Sequence, residues 1–291
     1  MTGKIKMIVT MLIFGSVGLF VKNINLSSSE IALLRGVIGC ITLIAAGLLI
    51  NQTIRFRTTK KNIMLLCLSG GALGFNWMFL FEAYRYTTIS NATISYYFAP
   101  IFVMILAPFI LKEKMARFKV GSIIAAIIGI FFIVGIDNGD RISQHHIMGV
   151  FFGLLAAAFY ASVMFINKFI RNLSDQETTI GQLAMASIVI LPYVFVTEGL
   201  NVKNLDIQSL LFILIVGILH TGFAYMLYFS ALKQLDGQRI ALYSYIDPIF
   251  AIVLSALLLN ETFTFIQAVG GTLILGATFI NEQKNARLVE K

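Results

Sequence analysis

The run 239–259 is almost wholly apolar, yet Asp247 lies inside it, immediately before Pro248. Proline removes one helical hydrogen bond and loosens the turn before it, so this carboxylate can share a polar pocket with freed backbone carbonyls. A carboxylate placed there can hold a proton or face a cationic group; the structural alternative is a neutral acid hydrogen-bonded to a neighbouring helix. His220 lies inside the run 208–231. Imidazole titrates near neutral pH, so His220 can relay protons, bind a carboxylate, or bridge two helices. Around these two stand residues with polar tips in apolar surroundings: Asn76 and Trp77, Tyr96 and Tyr97, Tyr225 and Tyr228, Tyr243 and Tyr245. Near a bilayer surface such aromatic residues are ordinary anchors. At mid-run their polar tips need partners away from water, and grouped rings suit an apolar, aromatic or cationic solute. All ten are candidates for substrate binding or proton coupling.

Other residues read as mechanical. Pro100 and Pro248 are candidate flex points, and Glu82 and Arg85, three apart, are a candidate outer gate or local salt bridge. Arg35, a few residues into its run, is read as snorkelling to the headgroups. Glu113 and Glu261 are read as caps of the helices that follow them. His145-His146 beside Asp137 and Asp140 is weak as a metal pattern, and no metal is assigned. The two cysteines, Cys40 and Cys67, fall in apolar runs and read as small hydrophobes. There is no His-Glu-x-x-His, no Gly-x-Ser-x-Gly and no phosphate-binding glycine loop, so no cofactor is expected and ATP does not drive this chain.

The elements that must position these side chains are membrane helices. Of 291 residues, 58% are apolar and 12% charged, and the mean hydropathy is +0.87; soluble domains carry roughly a quarter charged residues. A span needs roughly 20 apolar residues to cross about 30 Å of hydrocarbon. Ten such runs are found, at 5–22, 30–50, 63–84, 91–111, 118–136, 147–168, 178–198, 208–231, 239–259 and 264–281. The first follows Lys4 and Lys6 but has no small-x-small cleavage site, so it reads as an uncleaved helix. The net charge of +8 does not point to nucleic acid, because Lys and Arg sit in loops and helix ends. With a cytoplasmic N-terminus, 17 of the 22 Lys and Arg residues fall on the inside, 4 outside and Arg35 within a span. That asymmetry places both termini in the cytoplasm.

A shift of 148 residues lays 74–113 on 222–261 without a gap, with twelve of forty positions identical, among them Tyr97/Tyr245, Pro100/Pro248 and Glu113/Glu261. Each half, 1–138 and 139–291, has five spans, an odd number, so the halves enter the membrane from opposite sides. Loop 112–119 carries Lys112, Lys114, Arg117 and Lys119, whereas its counterpart 260–267 carries no Lys or Arg. The expected fold is therefore all-α, ten transmembrane helices as two inverted five-helix repeats. Inverted repeats are an architecture of secondary transporters, with the substrate site near the midplane. Ala72 and Ala99 stand opposite His220 and Asp247, so the second half carries the ionisable groups. Glycine pairs Gly70/Gly74 and Gly149/Gly153 suit close helix packing.

The stretch Gly74-Phe-Asn-Trp, Phe81-Glu-Ala-Tyr-Arg-Tyr-Thr87, Tyr96-Tyr-Phe-Ala-Pro100 and Leu111-Lys-Glu113, echoed by Phe229-Ser-Ala-Leu, Tyr245-Ile-Asp-Pro248 and Leu259-Asn-Glu261, resembles the EamA branch of the drug/metabolite transporter superfamily over nearly the whole chain. The resemblance implies a ten-helix plasma-membrane carrier, commonly an exporter of amino acids or other small metabolites and often proton-coupled. The expected partners are a small-molecule substrate, the lipid bilayer and protons; oligomeric state is left open. Efflux of cationic or toxic compounds is the alternative within transport. A membrane-embedded lipid-modifying enzyme is the alternative outside it, and it would need a cluster of acids and histidines where the sequence has scattered ones.

Overall fold

Backbone N–H and C=O groups inside lipid must be paired within the chain, which long apolar runs achieve by closing them into helices. The computed structural model describes residues 2–49, 58–112, 115–134, 144–197, 199 and 205–289, and every regular element among them is helical. These are α1 Gly3–Val21, α2 Ser28–Leu49, α3 Lys60–Tyr86, α4 Ile89–Tyr96, α5 Ala99–Ile110, α6 Arg117–Val134, α7 Gln144–Asn167 and α8 Asp175–Thr197. There follow α9 Ile207–Gly217, a π-helical turn Ile218–Phe223, α10 Ala224–Leu232, α11 Gly237–Ser244, α12 Ile246–Leu258 and α13 Phe265–Val289. Taking α4–α5, α9–α10 and α11–α12 as single broken spans, nine described segments are long and apolar enough to cross a membrane. α13 is the tenth membrane-length helix, mostly apolar to Ile280 and then polar over 281–285. All ten expected runs are thus helical, with described ends displaced by at most three residues except in the last, where α13 continues eight residues past the expected end at 281.

Three spans are not the continuous helices that hydropathy suggests. Pro100 lacks an N–H and its ring opposes the carbonyl four residues back, at Tyr96, where α4 ends. Pro248 opposes the carbonyl of Ser244, where α11 ends. Each proline then sits in the first turn of the next half-helix, where a missing N–H is harmless. The two prolines therefore start new helices rather than bend old ones.

Local geometry recurs at the spacings read from the sequence. The Thr88 hydroxyl accepts from the Asn91 amide to start α4, and 148 residues later Asp236 accepts from the Arg239 amide to start α11. Lys112 after α5 and Asn260 after α12 both take the left-handed conformation, with φ of 56° and 51°. Ser27/Glu30 and Ser174/Glu177 form reciprocal capping boxes at the starts of α2 and α8. At the start of α9, the hydroxyl and amide of Ser209 bond to Asp206 and hold that exposed carboxyl below its ordinary range.

α3 lies against α7 and α8, α2 against α8 and the π turn, α1 against α10 and α12, α4 against α7 and α12, and α6 against α13. One apolar cluster centres on α2, α3, α8 and α9; a second joins α5, α6 and α13. Close approach of α2 to the eighth span depends on glycine. A Cβ on Gly217 would lie 2.5 Å from Ile38, and one on Gly39 would overlap the Thr221 side chain. The expected glycine pairs are also contact points, with Gly70 and Gly74 against α8 and Gly149 and Gly153 against Thr87 and Ser95.

Candidate functional site

The two helix breaks face each other. From the fourth span, the Tyr97 hydroxyl donates to Asp247 Oδ2 at 2.8 Å and lies 3.3 Å from the Ser244 carbonyl, the group that Pro248 leaves free. Asp247 is in the first turn of α12, where the helix dipole favours negative charge. Carboxylate, free carbonyl and hydroxyl form one polar pocket. Asp247, Tyr96, Tyr97 and Tyr225 are half-buried and Tyr160 is more open still. Yet the Tyr96 and Tyr160 rings, from the fourth and sixth spans, are 5.5 Å apart. Side chains that meet across spans and still reach solvent line an internal cleft. Tyr96 also meets Tyr97 edge-on at 6.1 Å, and Tyr225 packs on Phe14 of α1 at 5.6 Å. Asn76 and Trp77 are buried; the Asn76 amide donates to the Ala156 carbonyl at 2.7 Å, and its Oδ1 has no partner.

Arg35 does not snorkel. It is 6% exposed, its guanidinium carbon lies 4.4 Å over the Trp77 ring and 5.6 Å from Phe81, and its Nε donates to Thr221 Oγ1 at 2.9 Å. The sequence reading failed because Arg35 is two turns into α2 on the face toward α3 and the π turn, so the bundle, not the bilayer surface, surrounds it. The π turn sets the receiving group: Thr221 Oγ1 donates to the Val216 carbonyl five residues back, leaving its lone pairs for Arg35. Single π turns inside α-helices are frequent at functional sites.

Other expected residues lie elsewhere. His220 is fully buried against α1, with Nε2 3.0 Å from the Ser16 hydroxyl, Nδ1 3.3 Å from the Ile215 carbonyl, and its ring edge-on to Phe20. Tyr245 turns to α13, donating to Thr278 at 2.9 Å and Glu282 at 3.1 Å. Tyr243 and Tyr228 pack with Met7, Met11 and Ala231, Tyr228 also near Phe14 at 6.3 Å. Glu82 accepts from Ser28 at 2.5 Å and pairs with Arg85 at 3.4 Å. His146 has both ring nitrogens engaged, by Thr87 and the Ile133 carbonyl, and His145 stacks on Tyr86. Asp137, Asp140 and Glu113 lie outside the described residues, among which no metal-binding group of acids, histidines and cysteines occurs.

Glu261 does not cap the helix after it. Its carboxylate pairs with Lys22 at the end of α1 and accepts from the Ile89 amide at 2.8 Å, so it caps α4 instead. Just below, Ser90 and Ser255 bond across α4 and α12 at 2.6 Å in a buried position. At this end of the cleft α4 is buried from Ile89 to Ser95, whereas its counterpart α11 at the opposite end has no buried residue. The Glu261 end is therefore the more tightly packed of the two.

Sequence reasoning missed Arg35, Tyr160, Tyr84 and Glu282 as cleft or intramembrane polar residues. Arg35 carried a signal, as the single Lys or Arg more than two residues from the end of a run. Tyr160 carried one too, since the shift that lays Ser16-Val17 on Ser162-Val163 lays Phe14, a neighbour of Tyr225, on Tyr160.

Ten membrane-length helices, three of them interrupted, around an internal cleft with a carboxylate and a guanidinium define a multi-pass membrane transporter rather than an enzyme. The EamA-like transporter family profile matches residues 1–135 and again 147–282. The chain belongs to that family, and its partners are therefore a small-molecule substrate and membrane lipid. It is 30% identical over 290 residues to the uncharacterized transporter YxxF of Bacillus subtilis, covering 99% of this chain and 92% of that one. It is 28% identical over 191 residues, 62% of each chain, to a probable amino-acid metabolite efflux pump of Salmonella typhimurium. A protein crystal structure shares the fold with a TM-score of 0.64 at 18% identity, covering 99% of both chains.

Proposed function

We propose that this protein is a secondary-active exporter of small organic metabolites, amino acids and related compounds, in the plasma membrane, working by alternating access and linked to protons. In this reading residues 1–138 and 139–291 are two inverted five-helix repeats, and both termini are cytoplasmic. Loop charge and the recurrence of caps, breaks and left-handed residues at a spacing of 148 support the repeat. The more tightly packed end of the cleft is then the outer one, as in the state in which an exporter collects its cargo. The observation that carries the reading is the Tyr97–Asp247 contact across the facing breaks of the fourth and ninth spans. Discontinuous helices with an acid at the break give a carrier both a hinge and a proton acceptor. The name of the Salmonella relative supports amino acids as cargo.

The test is uptake into proteoliposomes, with and without a pH gradient, across a panel of amino acids and organic cations. Gradient-driven transport of at least one amino acid by wild type, lost in Asp247→Asn, is expected. Intact gradient dependence in Asp247→Asn would remove the coupling role. Efflux of cationic drug-like compounds is the second reading, favoured by Asp247 and the surrounding rings and opposed by Arg35 in the same cluster.

A further inference from the structure

The start of α3 and the turn after α7 meet in a junction that the chain ties by itself. Thr59 caps α3, and the buried Asn62 side-chain amide donates to the Arg171 carbonyl at 2.7 Å. Two turns deeper, Ser69, Asn167 and Gln182 join α3, the end of α7 and α8. None of these contacts uses the side chains of Lys61 or Arg171. Both residues are exposed, and with Thr59, Asn62, Phe169 and Asn172 they line a cavity of about 360 Å³. Among the described residues no acid pairs with either cation. The next acids along the chain, Asp175 and Glu177, belong to the first turn of α8 and do not line the cavity.

The other half of the chain builds the same junction without cations. A shift of 147 residues lays Asn25-Leu26-Ser27 on Asn172-Leu173-Ser174, and it pairs Thr59 with Asp206, Lys61 with Gln208, Asn62 with Ser209 and Ile24 with Arg171. There Asp206 caps α9, and Ser209 Oγ accepts from the Asn25 amide at 2.9 Å. Packing of this kind therefore does not require Lys61 and Arg171. A topology signal accounts for positive charge on this face but not for a cavity between the two charges. Below the cavity the surface is apolar. Lys61, Met64 and Leu68, at i, i+3 and i+7, share one face of α3, and Met64 and Leu68 are 57% and 55% exposed. Phe169 is exposed beside them, as aromatic rings are at a bilayer boundary. Cations in a pocket between membrane helices, over an apolar stripe, match a lipid phosphate with its chains beneath.

We propose that this cavity binds the phosphodiester headgroup of an anionic phospholipid, with Lys61 and Arg171 on the phosphate and the acyl chains along Met64 and Leu68. The cavity has room for a phosphoglycerol group, and no residue of the central cleft lines it. The site does not depend on the carrier reading or on its cargo.

Delipidated protein in a maltoside detergent is melted with dioctanoyl phosphatidylglycerol, dioctanoyl phosphatidylcholine, dioctanoylglycerol, glycerol 3-phosphate or inorganic phosphate. A ligand of the folded state raises the melting temperature saturably. The rise is expected with the phosphatidylglycerol and is smaller with the phosphatidylcholine, whose choline would stand beside two cations. It is absent with dioctanoylglycerol and, at equal concentration, with either soluble phosphate. Lys61→Gln/Arg171→Gln is expected to melt like wild type without lipid and to need roughly 10- to 100-fold more phosphatidylglycerol for the same rise, the value of one charge-assisted contact. Lys4→Gln/Lys233→Gln, which removes two exposed cations elsewhere, should respond like wild type. Wild type without a saturable rise overturns the proposal, as does an equal rise in the cavity variant or an equal loss in the control variant. A soluble phosphate as effective as the phosphatidylglycerol would make this a site for a phosphorylated solute, and equally effective dioctanoylglycerol or phosphatidylcholine would leave the phosphate or the net charge without a role; each of these results also sinks it.

Discussion

Replacing Glu261 by glutamine removes the charge that joins three helix ends. At the more tightly packed end of the cleft, Glu261 pairs with Lys22 and accepts from the Ile89 amide. The Lys22 side chain is 33% exposed and that of Glu261 8%, so the pair sits at the boundary, neither fully solvated nor fully buried. An exposed pair is worth up to about 1 kcal/mol and a hydrogen bond to a charged acceptor about 1.5–3 kcal/mol. Glutamine still offers an acceptor to Ile89, so the loss is about 1–2 kcal/mol, and the ratio of outward-open to sealed molecules rises about 5- to 30-fold. The assay is the rate at which an impermeant thiol reagent, applied from outside to whole cells, labels Ser90→Cys in chains with and without Glu261→Gln. The lost Ser90–Ser255 bond is common to both and cancels. Faster labelling by about tenfold is expected in the double variant. An unchanged rate would mean that Glu261 does not latch the outer end.

Three further outcomes follow from the packing. Gly39→Leu forces a side chain into Thr221 and the eighth span; overpacking of about 1–3 kcal/mol should lower the melting temperature in detergent. His220→Ala, whose imidazole faces Ser16 and Phe20 rather than the cleft, should lower thermal stability while leaving gradient-driven uptake in place, the opposite of Asp247→Asn. Asp206 caps α9 with a carboxyl held below its ordinary range by Ser209. A depressed folded value means that its stabilisation is whole above the ordinary carboxylate value of about 4 and is lost as pH falls through the folded one. The melting-temperature gap between wild type and Asp206→Asn should therefore be constant at neutral pH and close only in acid.

The helices were legible because lipid permits little else for long uncharged runs, and their number followed from run lengths alone. The breaks were half legible. Pro100 and Pro248 mark them, but hydropathy averages over a window and cannot distinguish a helix that bends from one that stops and restarts. The cleft was legible where its residues sit at mid-run, as with Asp247, Tyr96 and Tyr97. It was illegible where the direction of a side chain depends on helix rotation. Tyr245 is 148 residues from Tyr97 and faces α13 instead of the cleft. Arg35 lies near the start of a run in one dimension but against Trp77 in three. Glu261 follows α12 yet serves α4, a partnership across half the chain that no local pattern encodes. The π turn has no proline or charge to announce it; it is known only from Thr221 bonding to Val216.

Access to Tyr160 from each side of the membrane tests the carrier mechanism most directly. Tyr160→Cys is placed in a chain with Cys40 and Cys67 replaced by alanine and labelled with an impermeant thiol reagent in inside-out and right-side-out vesicles. Labelling is expected from the cytoplasmic side, reduced by excess L-leucine, and slow from outside until Glu261→Gln is added. Equal labelling from both faces, unaffected by L-leucine, would describe a continuous pore with no site and would contradict alternating access.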